Sequence, residues 1–314
     1  MHYDMAIAAF GIGIVIGLTG MGGGALMTPA LVLFFNVPPL TAVSSDLVVS
    51  AATKPVGAVV HMRNGTIHWA IVKWLVIGSV PAAFCGALVI AWVGPLAGVS
   101  EFVKTALGIV LLIAAAGLVG RAYLTLRHNM TGAGPDARAG AAVGRDIAVR
   151  VLPTLLVGIV GGLVVGLTSV GSGSLVIIAL MTLYPLLSAN WLVGTDLAQA
   201  VPLVIAAAAG HLLFGDVDWS VVLPLLVGSI PGAYLGARIS SRASAGLVRR
   251  ALALVLLAAG LKMLGVSNLA TLIALAIALV GGTIGWMLVR TRYGLKATNW
   301  QDRKAPVGNR STSE

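Results

Sequence analysis

Two aspartates and two histidines stand at matching places in a strongly apolar chain. Asp46 is followed fifteen residues later by His61, and Asp196 is followed by His211 at the same spacing. A carboxylate inside an apolar run is costly and marks a proton carrier, the wall of a binding site or a helix cap. An imidazole changes charge near neutral pH. In a helix, fifteen residues span about 22 Å with only about 60° of rotation. Each pair therefore sets an acid near one end of a helix and an imidazole near the other, roughly on one face. Asp46, Asp196, His61 and His211 are read as candidates for proton coupling. Capping for the aspartates and an interfacial place near a turn for the histidines stand beside that reading.

Lys54 has no counterpart, because position 204 is Val. A lysine this deep in an apolar run serves as counter-ion to an anionic ligand or as partner to a carboxylate. Asp46 is the nearest acid in sequence, about 12 Å away along a helix axis. Gln199, also unduplicated, could donate a hydrogen bond from the other half of the chain. Small-residue patches supply the remaining candidates. Thr19-Gly20-Met21-Gly22-Gly23-Gly24 and Thr168-Ser169-Val170-Gly171-Ser172-Gly173-Ser174 each interrupt an apolar segment. Glycine permits close backbone approach, and the helix after each patch begins with unpaired N–H groups that suit an anion. Tight helix packing is the competing reading. Thr19, Gly22, Gly23, Gly24, Ser45, Lys54, Thr168, Gly171, Ser172, Gly173, Ser174, Thr195 and Gln199 form the expected ligand-binding set.

These residues must be positioned by a membrane fold. The chain is 58% hydrophobic and 10% charged, with a mean hydropathy of +1.00. Soluble domains carry about 25% charged residues. Residues 42–87 align with residues 192–237 in one register, matching Asp46 with Asp196, His61 with His211, Trp69 with Trp219 and Gly78-Ser79-Val80-Pro81 with Gly228-Ser229-Ile230-Pro231. Fixed-period self-similarity in an apolar chain marks a duplicated helical unit with a site between the copies. The N-terminus lacks the basic start and cleavage site of a signal peptide.

The pattern predicts broken segments over 6–36 and about 151–187. Helices are predicted at about 39–62, 67–93, 101–125, 190–213, 217–240, 246–264 and 267–290. Each half of a broken segment is about 12–15 residues, short for a span. A re-entrant hairpin and a single broken span are both conceivable. Under the hairpin plan, loops 61–66, 121–150, 238–250 and the tail from 290 share a side and hold sixteen of the twenty Lys and Arg. The positive-inside rule favours that plan.

The expected fold is all-α, a polytopic membrane protein. It has two inverted repeats, each a Gly-rich broken or re-entrant helix plus three transmembrane helices, and one extra C-terminal transmembrane helix. The divisions are a first repeat at 1–125, a cytoplasmic linker at 126–150, a second repeat at 151–265, a final helix at 266–290 and a tail at 291–314. The N-terminus is expected outside and the C-terminus inside, on the side of the basic loops. The net charge of +10 lies at helix ends, where it sets topology, and no nucleic acid is expected. Cys85, the one cysteine, is expected as a small buried hydrophobe, and Trp69 and Trp219 as interface anchors.

The constellation resembles the TauE/SafE family of sulfite exporters, also called TSUP transporters. It is carried by Gly17-Leu18-Thr19-Gly20-Met21-Gly22-Gly23-Gly24-Ala25-Leu26-Met27-Thr28-Pro29, by Ala42–Asp46, by His61–Trp69 and by Gly78–Pro81, with their second-copy equivalents. The likeness covers about residues 8–265. It implies movement of small sulfur-containing anions, such as sulfite or sulfonates, through the bacterial inner membrane. The second patch reads Gly171-Ser172-Gly173-Ser174 where the family often has three glycines, which leaves the substrate open. The partners so implied are a small anion and the lipid bilayer, with a homodimer left open.

Rival functions fit less well. A divalent-metal transporter would use Asp46, Asp196, His61 and His211, yet the spacing keeps acid and imidazole apart. A serine protease built on Ser172 and His211 lacks the Gly-x-Ser-Gly motif and the symmetry, since Ser172 corresponds to Gly23. No zinc-hydrolase or nucleotide-loop motif occurs, so neither a cofactor nor enzymatic chemistry is expected. A gated anion channel would share much of this sequence.

Overall fold

Backbone N–H and C=O groups cannot stay unpaired in hydrocarbon, so a chain this apolar must satisfy them within helices. The computed structural model describes residues 3–19, 23–93, 98–130, 147–171, 173–239 and 245–292. It is all-helical, and no strand forms among these residues. The elements are α1 (Tyr3–Thr19), α2 (Gly24–Phe34), α3 (Pro39–Arg63), α4 (Trp69–Val93), α5 (Val99–Met130), α6 (Val151–Thr168), α7 (Leu175–Leu183), α8 (Ala189–Phe214), α9 (Trp219–Ile239), α10 (Ala245–Met263) and α11 (Asn268–Arg292). Seven of the described helices are long and apolar enough to cross a membrane.

The helix ends follow local chemistry. Pro38 caps α3 and Pro39 opens it, where a missing N–H costs nothing. Gly65 and Gly265 take positive φ directly after α3 and α10, the left-handed step that ends a helix. Two lengths depart from expectation. The first halves of the broken segments are 17 and 18 residues long, against 11 and 9 for the second halves. Helix α5 also continues to Met130, into the segment expected as linker.

The chain forms one compact unit over Met1–Val266 and a second over Ser267–Glu314. In the first unit α1 lies along α9, α6 along α4, α3 against α8, and α5 against α10. Exchanging the copies, α1–α5 for α6–α10, maps this set of pairs onto itself. Two smaller cores repeat the relation. Val37, Ala42, Val221 and Leu225 pack in one, and their equivalents Leu187, Leu192, Ile71 and Leu75 pack in the other. In the second unit α11 carries Leu269, Leu272 and Ile277 largely exposed, as an apolar helix facing lipid would.

Glycines set the direction of the pairs. A Cβ added at Gly228, Gly232 or Gly236 of α9 would sit 2.1, 2.3 or 2.2 Å from the carbonyl oxygens of Ala6, Phe10 or Ile14 of α1. One at Gly158, Gly162 or Gly166 of α6 would sit 2.5, 2.3 or 2.2 Å from those of Leu75, Ser79 or Ala83 of α4. Both numbers climb together, so each pair runs parallel. Helices α3 and α8 run antiparallel: Ser44 meets His211, Gly57 faces Leu197, and His61 lies against Gly194.

These directions fix the broken segments. Helix α9 begins beside the start of α3, because Ser44 and Ser45 accept from the N–H groups of Asp216 and Asp218. Helices α1, α3 and α9 thus share a direction, and α2 must return between α1 and α3. Met5 and Phe35 accordingly line one cavity. In the second copy the Arg150 N–H and the Thr154 hydroxyl at the start of α6 both meet the Tyr184 hydroxyl at the end of α7. Each broken segment is a helical hairpin.

Cys85 corrects one expectation. It is exposed on α4, on the face opposite the buried Ala83 and Ala87. Trp69 and Trp219 open α4 and α9 with their rings more than half exposed, as interface anchors would be.

Candidate functional site

The tips of the two hairpins meet, and Asp46 lies where they do. Gly24, at the start of α2, backs onto the second break so closely that a Cβ would sit 2.0 Å from the Ser169 carbonyl oxygen. Ser169 is left-handed, with φ of 59°, and it ends α6. Its hydroxyl donates to Asp46 Oδ2, and Thr28 Oγ1 of α2 donates to the same oxygen at 3.3 Å. One carboxylate of α3 thereby ties the return helix of its own hairpin to the break of the other. Gly23 lies alongside, with its Cβ position 3.9 Å from Asp46 Oδ1.

Asp196 occupies the equivalent place on α8 with different partners. Gln199 Nε2 donates to Asp196 Oδ1 at 3.1 Å, and Ser79 of α4 donates to Gln199 Oε1 at 3.2 Å. Lys54 of α3 lies within electrostatic reach of both carboxylates. Asp46 is the nearer acid in sequence; the antiparallel register of α3 on α8, with Gly57 facing Leu197 and His61 against Gly194, adds Asp196 as a second partner. Asp46 and Asp196 are each 1% exposed, Gln199 is 0% and Lys54 is 8%, so the whole set is shut away from solvent. Pro55 and Pro202 interrupt the backbone ladders of α3 and α8 nearby. Each removes an N–H and leaves a carbonyl one turn earlier without its helical donor.

Other expected site residues spend their polar groups elsewhere. Thr168 folds its own break: its hydroxyl donates to the Val164 carbonyl at 2.6 Å and accepts from the Val170 N–H at 3.2 Å. Ser45 accepts from the Asp218 N–H, and Thr195 from the His68 N–H, so each pins the loop ahead of a long helix. Gly171 and Gly173 take φ of 133° and 93°, open mainly to glycine. The first amides of α7 turn onto the Gly171 carbonyl, Leu175 N at 3.0 Å and Ser174 N and Val176 N at 3.4 Å. Ser174 caps α7 with its hydroxyl buried and without a hydrogen-bond partner. Gly22 and Ser172 lie outside the described residues, and Thr19 ends α1.

The histidines stay at the helix ends. His211 is fully buried; its Nε2 meets the Gly166 carbonyl and its Nδ1 the Ser44 hydroxyl, both at 2.7 Å. Only an N–H can face a carbonyl, so Nε2 carries hydrogen. His61 is half-buried and bonds Thr66 at 2.9 Å. Near the His211 end, a cavity of about 670 Å³ is lined by Met5, Asn36, Thr41, Asp216 and Asp218 among others. Thr41 also donates to Asp216. It stands about 7.5 Å along α3 from Asp46.

Thr28, Ser44 and Ser79 were missed as site residues, since hydroxyls in apolar helices usually bond their own backbone. The signal was available for Ser79, which lies in the repeated Gly-Ser-x-Pro element.

The sequence that builds these two glycine-broken hairpins matches a known family profile. That described as "Sulfite exporter TauE/SafE" matches residues 5–263. The chain belongs to the TauE/SafE family. The family member "Probable membrane transporter protein YjnA" of Bacillus subtilis is 38% identical over 268 residues, 84% of this chain and 100% of that protein. "Probable membrane transporter protein YdhB" of the same organism is 26% identical over 260 residues, covering 82% and 98%. "Probable membrane transporter protein MJ0441" of Methanocaldococcus jannaschii is 26% identical over 273 residues, covering 83% and 94%. No solved structure matches. This TauE/SafE chain is a multi-pass membrane transporter, not an enzyme.

Proposed function

We propose that this TauE/SafE protein is a secondary transporter that exports small sulfur-containing anions, sulfite or sulfonates, across the bacterial inner membrane. The observation that carries the reading is the meeting of the two hairpins, Gly24 on the Ser169 backbone, at Asp46, with Lys54 about two turns further along α3. Non-helical backbone at membrane depth is tolerated only where protein buries it or a cavity runs past. The N-termini of α2 and α7 are positive dipole ends suited to an oxyanion. The buried, unpartnered Ser174 hydroxyl at the second of these supports a hydrogen-bonding ligand there. The antiparallel α3–α8 pairing supports repeats of opposite orientation in the bilayer, the plan of alternating-access carriers.

The rival metal-ion reading has less support. Among the described residues no three His, Cys, Asp or Glu side chains gather as ligands. A gated anion channel is separated from a carrier by kinetics: a carrier saturates and shows counterflow.

Ligand-induced stabilisation of the purified protein tests the proposal. A ligand at a hundred times its Kd adds about 2.7 kcal/mol to the state that binds it. Sulfite, taurine or sulfoacetate should raise the unfolding temperature, while chloride at equal ionic strength should not. A rise with divalent cations and none with any sulfur anion would transfer support to the metal reading.

A further inference from the structure

The loops ahead of α4 and α9 are anchored alike and differ in the side chain that meets the helix. His68 and Asp218 hold equivalent positions, directly before Trp69 and Trp219. Each fixes its backbone N–H on the other copy, His68 on Thr195 Oγ1 at 3.0 Å and Asp218 on Ser45 Oγ at 3.3 Å. Asp218 Oδ1 then accepts the Ser220 N–H at 2.8 Å, so a carboxylate sits on the first turn of α9.

His68 lays its ring on the first turn of α4 instead. Nδ1 faces the Ile71 N–H at 3.3 Å, an amide shared with the His68 carbonyl at 3.0 Å. A ring nitrogen that accepts holds no hydrogen, so the hydrogen is on Nε2. That Nε2–H has no hydrogen-bond partner, and His68 is only 6% exposed. A buried donor left unpaired is costly and calls for an acceptor. Helix α4 is 25 residues long, with the positive end of its dipole here. At the start of α9 the protein supplies the anion itself; at the start of α4 it supplies an imidazole donor in its place. The charges nearby are engaged or exposed. Asp196, next to Thr195, accepts from Gln199 and lies within electrostatic reach of Lys54. His61 bonds Thr66, and Arg63 is exposed at the end of α3.

Resting on the anion-transport reading, we propose that the His68 Nε2–H and the first turn of α4 form a subsite where the small oxyanion cargo docks on its way to the centre. His68 is covered in this structure, so the subsite fills when the carrier opens to that side. In the proposed topology that is the side of the basic loops. Asp218 already occupies the matching place at the other end, so the two ends differ in their affinity for anions. The equilibrium across the membrane is unaltered by that difference.

Nuclear magnetic resonance of the full chain in detergent, with nitrogen-15 in its five histidines, tests this under titration with methanesulfonate, nitrate and chloride. Methanesulfonate should move the one Nε2 resonance that His68→Gln removes, and chloride at equal ionic strength should not. His68→Asp copies the second loop and keeps a cap for α4. In proteoliposomes it should raise the half-saturating methanesulfonate concentration about tenfold or more, because a hydrogen bond to a charged acceptor is lost and a like charge gained. A His68 resonance unmoved by any anion while methanesulfonate is still transported would overturn the subsite and leave the transport reading standing. An unchanged half-saturating concentration in His68→Asp would do the same. Movement with nitrate, with methanesulfonate neither moving the resonance nor transported, would uphold the oxyanion subsite and overturn the sulfur reading. Neither movement nor transport with any of the anions overturns both. If His68→Asp fails to fold, the resonance of the unaltered protein decides.

Discussion

Ser44 and Gly194 occupy equivalent positions, and this one difference sets apart the two ends of the α3–α8 pair. Ser44 joins His211 to the Asp216 N–H, whereas Gly194 offers His61 nothing, and His61 turns to Thr66. Removing the Ser44 hydroxyl leaves His211 Nδ1 buried without a donor, a loss of about 1–3 kcal/mol. Ser44→Ala should therefore lower unfolding temperature in detergent clearly more than Thr66→Ala, whose histidine is half-buried and can bond water. Equal shifts would deny His211 its structural role. The same comparison of copies explains an orphan. Ser79 donates to Gln199, but the equivalent of Gln199 is Val49, and the Ser229 hydroxyl is left buried without a partner. Sequence reading singled out both aspartates, Lys54 and Gln199 as unusual inside apolar helices; in the structure Gln199 bonds Asp196, and Lys54 lies within electrostatic reach of both acids. It could not supply the Ser169 and Thr28 bonds or the Asp196 partner of Lys54. Those depend on which helix faces which, and in an all-apolar helix no polar stripe marks the packed face.

Each hairpin is held along its first helix by a glycine track, Gly158-x3-Gly162-x3-Gly166 on α6 and Gly228-x3-Gly232-x3-Gly236 on α9. Without a hydrophobic force between helices in lipid, association rests on close backbone approach, which small residues allow. A methyl group at Gly162 or Gly232 would press into a carbonyl oxygen, and overpacking of this kind costs about 1–3 kcal/mol. Gly162→Ala and Gly232→Ala should lower unfolding temperature. Gly281→Ala in α11, with nothing within 4 Å of the new carbon, should hold or raise it. Three indistinguishable melting curves would contradict the packing account. Helix limits were legible because the apolar runs end at Gly, Pro and charged residues. The unequal hairpin arms were not, because an apolar helix carries no sign of where it stops inside the membrane. The glycines mark approach, but not the partner helix.

At the scale of the whole molecule, the antiparallel run of the equivalent helices α3 and α8 and the sixteen of twenty Lys and Arg on one side of the proposed topology make one account. Single cysteines placed in loop 121–150 of a Cys85→Ser background should resist a membrane-impermeant thiol reagent applied to intact cells. A cysteine at Asp4 should react. Labelling of loop 121–150 from outside would contradict opposed repeats. The account's proposed centre is that a small sulfur oxyanion passes Lys54, about two turns along α3 from where the hairpins meet. Sulfite flux in proteoliposomes tests this most directly, with the unaltered protein compared against Lys54→Met and Lys54→Arg. The account predicts saturable flux, abolished in a folded Lys54→Met protein and partly kept in Lys54→Arg; undiminished flux in Lys54→Met would contradict it.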